Sequence, residues 1–131
     1  MLVKLFWTDR WNNGDLYPEG IILENSSNIK GLIFNLLNDD GGLGLSYLGN
    51  WMDEGLKEIK KVKQGSLNFY DMWGQSWGAE VRKDEVLIYW GYDDTELEET
   101  MNFSSFYKIL TNWMILISKT PCLETEMLFE C

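Results

Sequence analysis

The sequence predicts an α+β protein with one antiparallel sheet of four to six strands and about three helices packed mainly on one face. Period-two alternation of β-branched and aromatic residues predicts the strands, and apolar residues three and four positions apart predict the helices. The chain has 131 residues, of which 45% are hydrophobic. That length suffices for one sizeable core and is short for two. We therefore expect a single globular domain over residues 1–131.

A hairpin in the middle of the chain has the clearest strand pattern. Residues 77–81 and 86–90 each place apolar side chains, most of them β-branched or aromatic, at every second position, and the polar residues 82–85 separate them. This arrangement predicts two antiparallel strands joined by a short turn. Residues 86–90 are apolar on both faces, so we expect an interior strand that helices cover on one side.

Weaker alternation predicts the remaining strands. Residues 2–7 and 67–73 alternate, and residues 101–103 do so at the end of an acidic segment, whose acids we expect to be exposed. Residues 21–23 fit either a short strand or the start of a helix. The tail, residues 122–131, shows no clear pattern, and a loosely ordered segment is one interpretation of it.

The first helix is predicted from an apolar stripe that ends at Leu37. Ser26 or Ser27 can cap its N-terminus, because a serine side chain accepts a backbone N–H of the first turn. Gly31 falls inside the predicted helix, where it costs about 1 kcal/mol relative to alanine.

Two further helices follow the same spacing rule. Residues 51–63 carry one apolar stripe, and Gly65 follows as a stop signal. Residues 105–118 carry a wider stripe that predicts packing against the sheet. We expect Ser104 to be the N-cap of this last helix, and Pro121 lies beyond its end.

Catalytic motifs are absent from the sequence. It contains no histidine, which excludes the usual nucleophile–histidine pairs and histidine metal sites. Cys122 and Cys131 cannot form a zinc site by themselves, so we expect no metal and no cofactor. The glycine-rich segment 40–50 lacks the third glycine of a dinucleotide-binding loop, since Tyr47 stands in its place. The protein is therefore predicted not to be an enzyme.

The charge of the chain is −10 and is unevenly distributed. Residues 1–83 carry nine basic and eleven acidic side chains, whereas residues 84–131 carry two basic and ten acidic ones. An acidic half repels nucleic acid and anionic membranes and attracts a basic partner. A simpler alternative is that the acidic charge serves only to keep an aromatic-rich protein soluble. A second and less favoured alternative is that the lysines on the predicted helix 51–63 form a basic patch that binds nucleic acid.

The second half of the chain resembles a known family. The motif Trp-x-x-Glu-Val (77–81) is followed by a polar turn, Val-x-Ile (86–88), an acidic stretch, and Met-x-Phe-Ser-x-Phe-x-x-x-Leu-x-x-Trp (101–113). This pattern, within residues 66–121, is similar to immunity proteins of bacterial polymorphic toxin systems, including the contact-dependent growth inhibition type. The resemblance implies a small cytosolic protein that binds and neutralises a cognate toxin domain, commonly a nuclease.

The residues themselves favour the same kind of partner. A nuclease needs a basic face to hold phosphates, and an acidic inhibitor can cover that face. Aromatic anchors within an acidic rim would provide the binding energy. We expect the partner-binding surface to consist of one tyrosine and seven acids: Tyr92, Asp93, Asp94, Glu96, Glu98, Glu99, Asp39 and Asp40.

Two other classes of function remain open from the sequence. A carboxylate pair, as in glycoside hydrolysis, or a carbohydrate-binding surface could use the seven tryptophans. A structural or adaptor domain in a larger assembly is the third possibility. The sequence shows no signal peptide and no apolar stretch that could cross a bilayer, so we expect a cytoplasmic protein. It leaves the oligomeric state open.

Overall fold

The computed structural model describes residues 1–23, 31–92 and 97–131. Within these ranges the chain is α+β, as predicted. The elements in chain order are β1 (Leu2–Thr8), β2 (Tyr17–Ile22), α1 (Leu32–Leu37), α2 (Leu45–Gln64), β3 (Phe69–Trp73), β4 (Trp77–Arg82), β5 (Glu85–Trp90), β6 (Glu98–Asn102), α3 (Phe103–Ile117) and β7 (Glu126–Glu130).

The strands form two antiparallel sheets, where the sequence predicted one. A three-stranded sheet has the order β2-β1-β7, and a four-stranded sheet has the order β3-β4-β5-β6. The four-stranded sheet is a meander, in which strands that are consecutive in the chain are neighbours in the sheet. The three-stranded sheet instead brings the two ends of the chain together. Alternation along a strand indicates which side chains share a face, but it does not indicate the neighbouring strand.

The tail that had no clear pattern contains the last strand. Residues Glu126–Glu130 pair antiparallel with β1, and Leu5 lies opposite Met127 in that register. Met127 and Phe129 turn towards the core, while Glu126, Leu128 and Glu130 are exposed. Cys131 then donates its backbone N–H to the carbonyl oxygen of Met1 at 2.9 Å. Half of the tail, residues 126–130, is therefore a strand, which the sequence did not predict.

The predicted hairpin is confirmed. Strands β4 and β5 pair with Val81 opposite Val86 and Trp77 opposite Trp90. The turn is tighter than expected, since Arg82 and Glu85 belong to the strands. Strand β5 lies between β4 and β6, as its apolar faces predicted.

Helix α1 is shorter than predicted within the described residues. It begins at Leu32, and Gly31 is its N-cap with φ 73° and ψ 24°, a left-handed conformation that cannot continue a helix. The prediction that Gly31 lies inside the helix is thus wrong. The predicted caps, Ser26 and Ser27, lie outside the described residues.

Helix α2 starts at Leu45, six residues before the predicted start at residue 51, and ends at Gln64. Gly65 caps its C-terminus with φ 84°, as predicted. The N-cap of α3 is Asn102, not Ser104: the Asn102 side chain accepts the Ser105 N–H at 2.7 Å. Asparagine is as good an N-cap as serine, and Asn102 is the last residue of β6, so α3 follows the strand directly.

The core lies between the sheets and the helices. Helices α1 and α3 each contact strands of both sheets, and α2 packs against α3 and the β3–β4 side of the larger sheet. The largest fully buried side chains include Trp7, Trp113 and Phe106. In the described parts of the chain, no helix combines the length and the apolar character that a bilayer crossing requires.

Candidate partner-binding site at one end of the four-stranded sheet

The predicted acidic surface is only partly described by the structure. Asp93, Asp94 and Glu96 lie outside the described residues. Glu98 begins β6 with an exposed side chain, as expected for a contact residue. Glu99, the next residue, points to the opposite face of the strand.

Glu99 is buried, with 5% of its surface exposed. Its carboxylate accepts the backbone N–H of Leu32 at 2.9 Å and that of Gly31 at 3.3 Å. A carboxylate at the start of a helix satisfies N–H groups that have no partner within the helix. The prediction that Glu99 is exposed on the β6 edge is therefore wrong. Alternation along β6 sends it towards the helices, where it joins the sheet to α1.

Asp39 holds the turn between β3 and β4. One of its oxygens, Oδ2, accepts the backbone N–H groups of Ser76 at 2.5 Å and Trp77 at 2.7 Å. Gly74 packs directly against this carboxylate, since a Cβ at Gly74 would lie 2.7 Å from Oδ2. Asp39 therefore has a role in positioning the turn, with one carboxylate oxygen committed to it.

Asp40 organises the loop before α2. Its two carboxylate oxygens accept the backbone N–H groups of Gly42 at 2.9 Å and Gly44 at 3.1 Å. Asp40 also lines a cavity of about 280 Å³, together with Arg10 and Leu48. Like Asp39, it stabilises backbone within its own fold.

Tyr92 lies beside this turn and is 68% exposed. Its hydroxyl donates to the carbonyl oxygen of Gln75 at 2.8 Å. Its ring meets the edge of Trp90, with centroids 5.7 Å apart, and Trp90 in turn meets Trp77 at 5.3 Å. The exposed ring thus has a fixed position at the end of a row of three aromatic rings, as a contact residue requires.

Other side chains hold the same turn. Trp51 of α2 donates its indole N–H to the carbonyl oxygen of Trp73 at 2.6 Å. The Gln75 side chain donates to the Tyr47 hydroxyl at 2.9 Å. Gly91 donates its backbone N–H to the carbonyl oxygen of Ser76 at 2.8 Å. The turn is therefore attached to α2, to the β5–β6 connection and, through Asp39, to the end of α1.

Trp73 is the second exposed ring at this end, with 42% of its surface exposed. Its indole lies over Gly91: a Cβ at Gly91 would lie 2.4 Å from ring atom Cζ3. The indole N–H donates to Asp71 at 2.8 Å, and the ring meets Tyr89 edge-on with centroids 5.4 Å apart. We call the surface of Trp73, Tyr92 and turn residues 74–76 the aromatic end.

Tyr89 is a titratable residue beside the aromatic end. Burial, the hydrogen bond that its hydroxyl donates to Asp71, and the charges of Asp71 and Glu80 all raise the pKa of Tyr89 far above 10. Tyr89 is therefore a hydrogen-bond donor and stays neutral. In residues 1–23, 31–92 and 97–131, no group of three or more acidic or cysteine side chains could hold a metal ion.

The sequence predicts Tyr92 as a contact residue, but it does not predict Trp73 or the side chains that hold it in place. The glycine pattern held a signal for Trp73, because Gly91, over which the indole lies, directly follows β5. A glycine on a strand often marks the close approach of another group. The support from Asp39 and Trp51 had no local signal, since each residue is more than twenty positions from its contact.

Comparison with known protein families, with curated proteins and with solved structures finds no match to this chain. The assignment of a function therefore rests on the residues and the geometry described above.

Proposed function

We propose that this protein is a non-catalytic immunity protein that binds a cognate toxin domain and covers its active or substrate-binding surface. The observation that supports this proposal most directly is the aromatic end. Trp73 and Tyr92 are exposed, yet hydrogen bonds and ring contacts hold both rings in place. The sequence continues from Tyr92 into Asp93, Asp94 and Glu96, the most acidic stretch of the chain.

Rigid exposed aromatic side chains are typical of binding hot spots. Tryptophan and tyrosine bury a large area on binding, and rings that are already ordered lose little conformational entropy. Acids beside them give a negative potential that speeds encounter with a basic surface and disfavours partners of like charge. Their combination fits a basic protein partner, and a nuclease domain is the class whose function requires such a surface.

The direct test is co-purification with the protein encoded immediately upstream, at low and at high salt. The proposal predicts a one-to-one complex with a basic toxin domain, loss of the toxin's activity in the complex, and weaker association at high salt. Such a protein acts in the cytoplasm, where a toxin nuclease meets its substrate. A toxin domain that remains fully active when saturated with this protein contradicts the proposal.

Carbohydrate binding is the second candidate, and one observation favours it. Trp73 and Tyr89 lie on an exposed sheet face, and Asp71 accepts a hydrogen bond from each of them. Aromatic rings beside a carboxylate can stack on a sugar and accept its hydroxyl hydrogens. A glycan array separates the two functions, since an immunity protein binds no glycan there.

A further inference from the structure

The four-stranded sheet has one face that no described element covers. Its inner residues, such as Ala79 and Ile88, are fully buried in the core. The outer residues alternate with them and point away from the helices. They are Phe69, Asp71, Trp73, Gly78, Glu80, Arg82, Glu85, Leu87, Tyr89, Glu98, Thr100 and Asn102. We call this surface the outer face.

The outer face combines apolar area with negative charge. Phe69 is 48% exposed, and Trp73, Leu87 and Tyr89 add further apolar surface. Four carboxylates and a single guanidinium, that of Arg82, lie among its residues. An exposed mixture of aromatic rings and charges of one sign is characteristic of an interaction surface.

The acids of the outer face differ in how many hydrogen-bond or ion-pair partners they have within the protein. Asp71 accepts hydrogen bonds from Trp73 at 2.8 Å and from Tyr89 at 2.9 Å, one on each oxygen. Glu80 lies directly opposite Asp71, where two like charges repel. Arg82 offsets this repulsion by donating hydrogen bonds to Glu80. Its Nε and Nη2 both donate to the same oxygen, Oε1.

Carboxylate oxygens that can accept further hydrogen bonds are therefore present on the outer face near the β4–β5 turn. Glu80, Arg82, Glu85 and Leu87 line a shallow depression of about 170 Å³. The Glu85 side chain makes no hydrogen bond or ion pair with any residue that the structure describes. Leu87 provides an apolar floor between the two glutamates, since it lies opposite Glu80 in the register and two residues after Glu85.

We infer that the outer face is the docking surface for a basic protein face, with arginine or lysine side chains of the partner at Glu80 and Glu85 and their aliphatic stems on Leu87. Charge complementarity selects this occupant: the surface carries an excess of three negative charges, four acids against one base, around apolar side chains. Long basic side chains cover apolar surface with their methylene groups while their charged ends meet the carboxylates.

This inference rests on the proposed function and deepens it, because it extends the toxin-binding surface from the aromatic end along β4 and β5. Trp73 belongs to both surfaces, so the two are continuous. A partner that covers both would contact the rigid rings at one end and the carboxylates of Glu80 and Glu85 at the other.

The first test uses an arginine-rich synthetic peptide and the full chain, observed by amide and indole NMR at low salt. We expect peptide-induced shifts at the amides of residues 80–87 and at the Trp73 indole. The double variant Glu80→Gln/Glu85→Gln should weaken peptide binding about tenfold. The double variant Glu124→Gln/Glu130→Gln has the same net charge and exposed positions outside this sheet, and should change binding less than about twofold.

Two results overturn the inference. One is equal weakening by both double variants, which means that the peptide senses only net charge. The other is a set of peptide-induced shifts that maps to a different face of the protein. Glu80 and Glu85 lie at the surface, so we expect the double variant to fold. The amide resonances in the same spectra show whether it has done so.

The second test uses the toxin domain and separates the two proposals. If the wild-type chain neutralises the toxin and Glu80→Gln/Glu85→Gln neutralises it equally well, the docking surface is wrong and the immunity function stands. If the peptide maps to the outer face but the wild-type chain does not bind the toxin, the immunity function is wrong and the docking surface for a basic partner stands.

Discussion

The carboxylate of Glu99 accepts the backbone N–H of Leu32 at 2.9 Å, although the two residues are 67 positions apart. This bond joins β6 to the first turn of α1 inside the core. It also explains why two neighbouring acids, Glu98 and Glu99, have different roles. Strand alternation places Glu98 on the solvent side and Glu99 on the helix side.

Removal of the Glu99 carboxylate should destabilise the fold. Glu99→Ala leaves the buried N–H of Leu32 without this acceptor, and we expect the free energy of unfolding to fall by about 2 kcal/mol. Chemical denaturation measures the change. Glu98→Ala is the matched control, because the exposed neighbour should alter stability by less than about 0.5 kcal/mol. Equal effects of the two substitutions would contradict the capping role of Glu99.

A side chain at Gly91 should displace the Trp73 ring. The new Cβ would lie 2.4 Å from the indole and 2.9 Å from the carbonyl oxygen of Ser76, so Gly91→Ala should cost about 1–3 kcal/mol. The Trp73 indole N–H resonance should shift as its bond to Asp71 is lost. Gly49→Ala is the control: this helical glycine has open space around it, and alanine should stabilise α2 by about 1 kcal/mol.

The raised pKa of Tyr89 makes a prediction about stability at alkaline pH. The folded state holds the phenolic proton more tightly than the unfolded chain, whose tyrosine pKa is near 10. The stabilisation by neutral Tyr89 is therefore complete below pH 10 and declines as the pH rises above it. Tyr89→Phe should destabilise the protein at pH 8, and its difference from the wild type should shrink at pH 11. Denaturation curves at the two pH values measure this.

Tyr70 contributes to the same alkaline loss, because burial and the charges of Glu58, Glu54 and Asp71 raise its pKa. The stability of Tyr89→Phe should therefore still depend on alkaline pH. The stability of Tyr70→Phe/Tyr89→Phe should depend on it less. An unchanged difference between wild type and Tyr89→Phe from pH 8 to pH 11 would show that the phenol ionises equally in both states.

Truncation of the exposed rings should weaken toxin binding. Tyr92→Ala and Trp73→Ala each remove a fixed aromatic anchor, and we expect a loss of about 2 kcal/mol, or roughly thirtyfold in Kd. Calorimetric titration with the toxin domain measures it. Trp11→Ala is the control, since Trp11 is 65% exposed in the loop between β1 and β2, outside the four-stranded sheet. If Trp11→Ala costs as much as Tyr92→Ala, the aromatic end is not the anchor.

The sequence by itself determined the local elements of this protein. The β4–β5 hairpin, the apolar stripe of α2 and the helix stop at Gly65 depend on side chains within a few residues of one another. Alternation, helical spacing and the conformational freedom of glycine are local properties, so a single sequence reveals them.

Only the tertiary structure decided how these elements combine. The pairing of β1 with β7, the burial of Glu99 against α1, and the support of the β3–β4 turn by Asp39 join residues far apart in the chain. Such contacts depend on which polar groups are desolvated together when the core closes, and neither periodicity nor composition encodes that choice. The same reason separates acids that hold the fold, such as Glu99 and Asp39, from acids that remain exposed, such as Glu98.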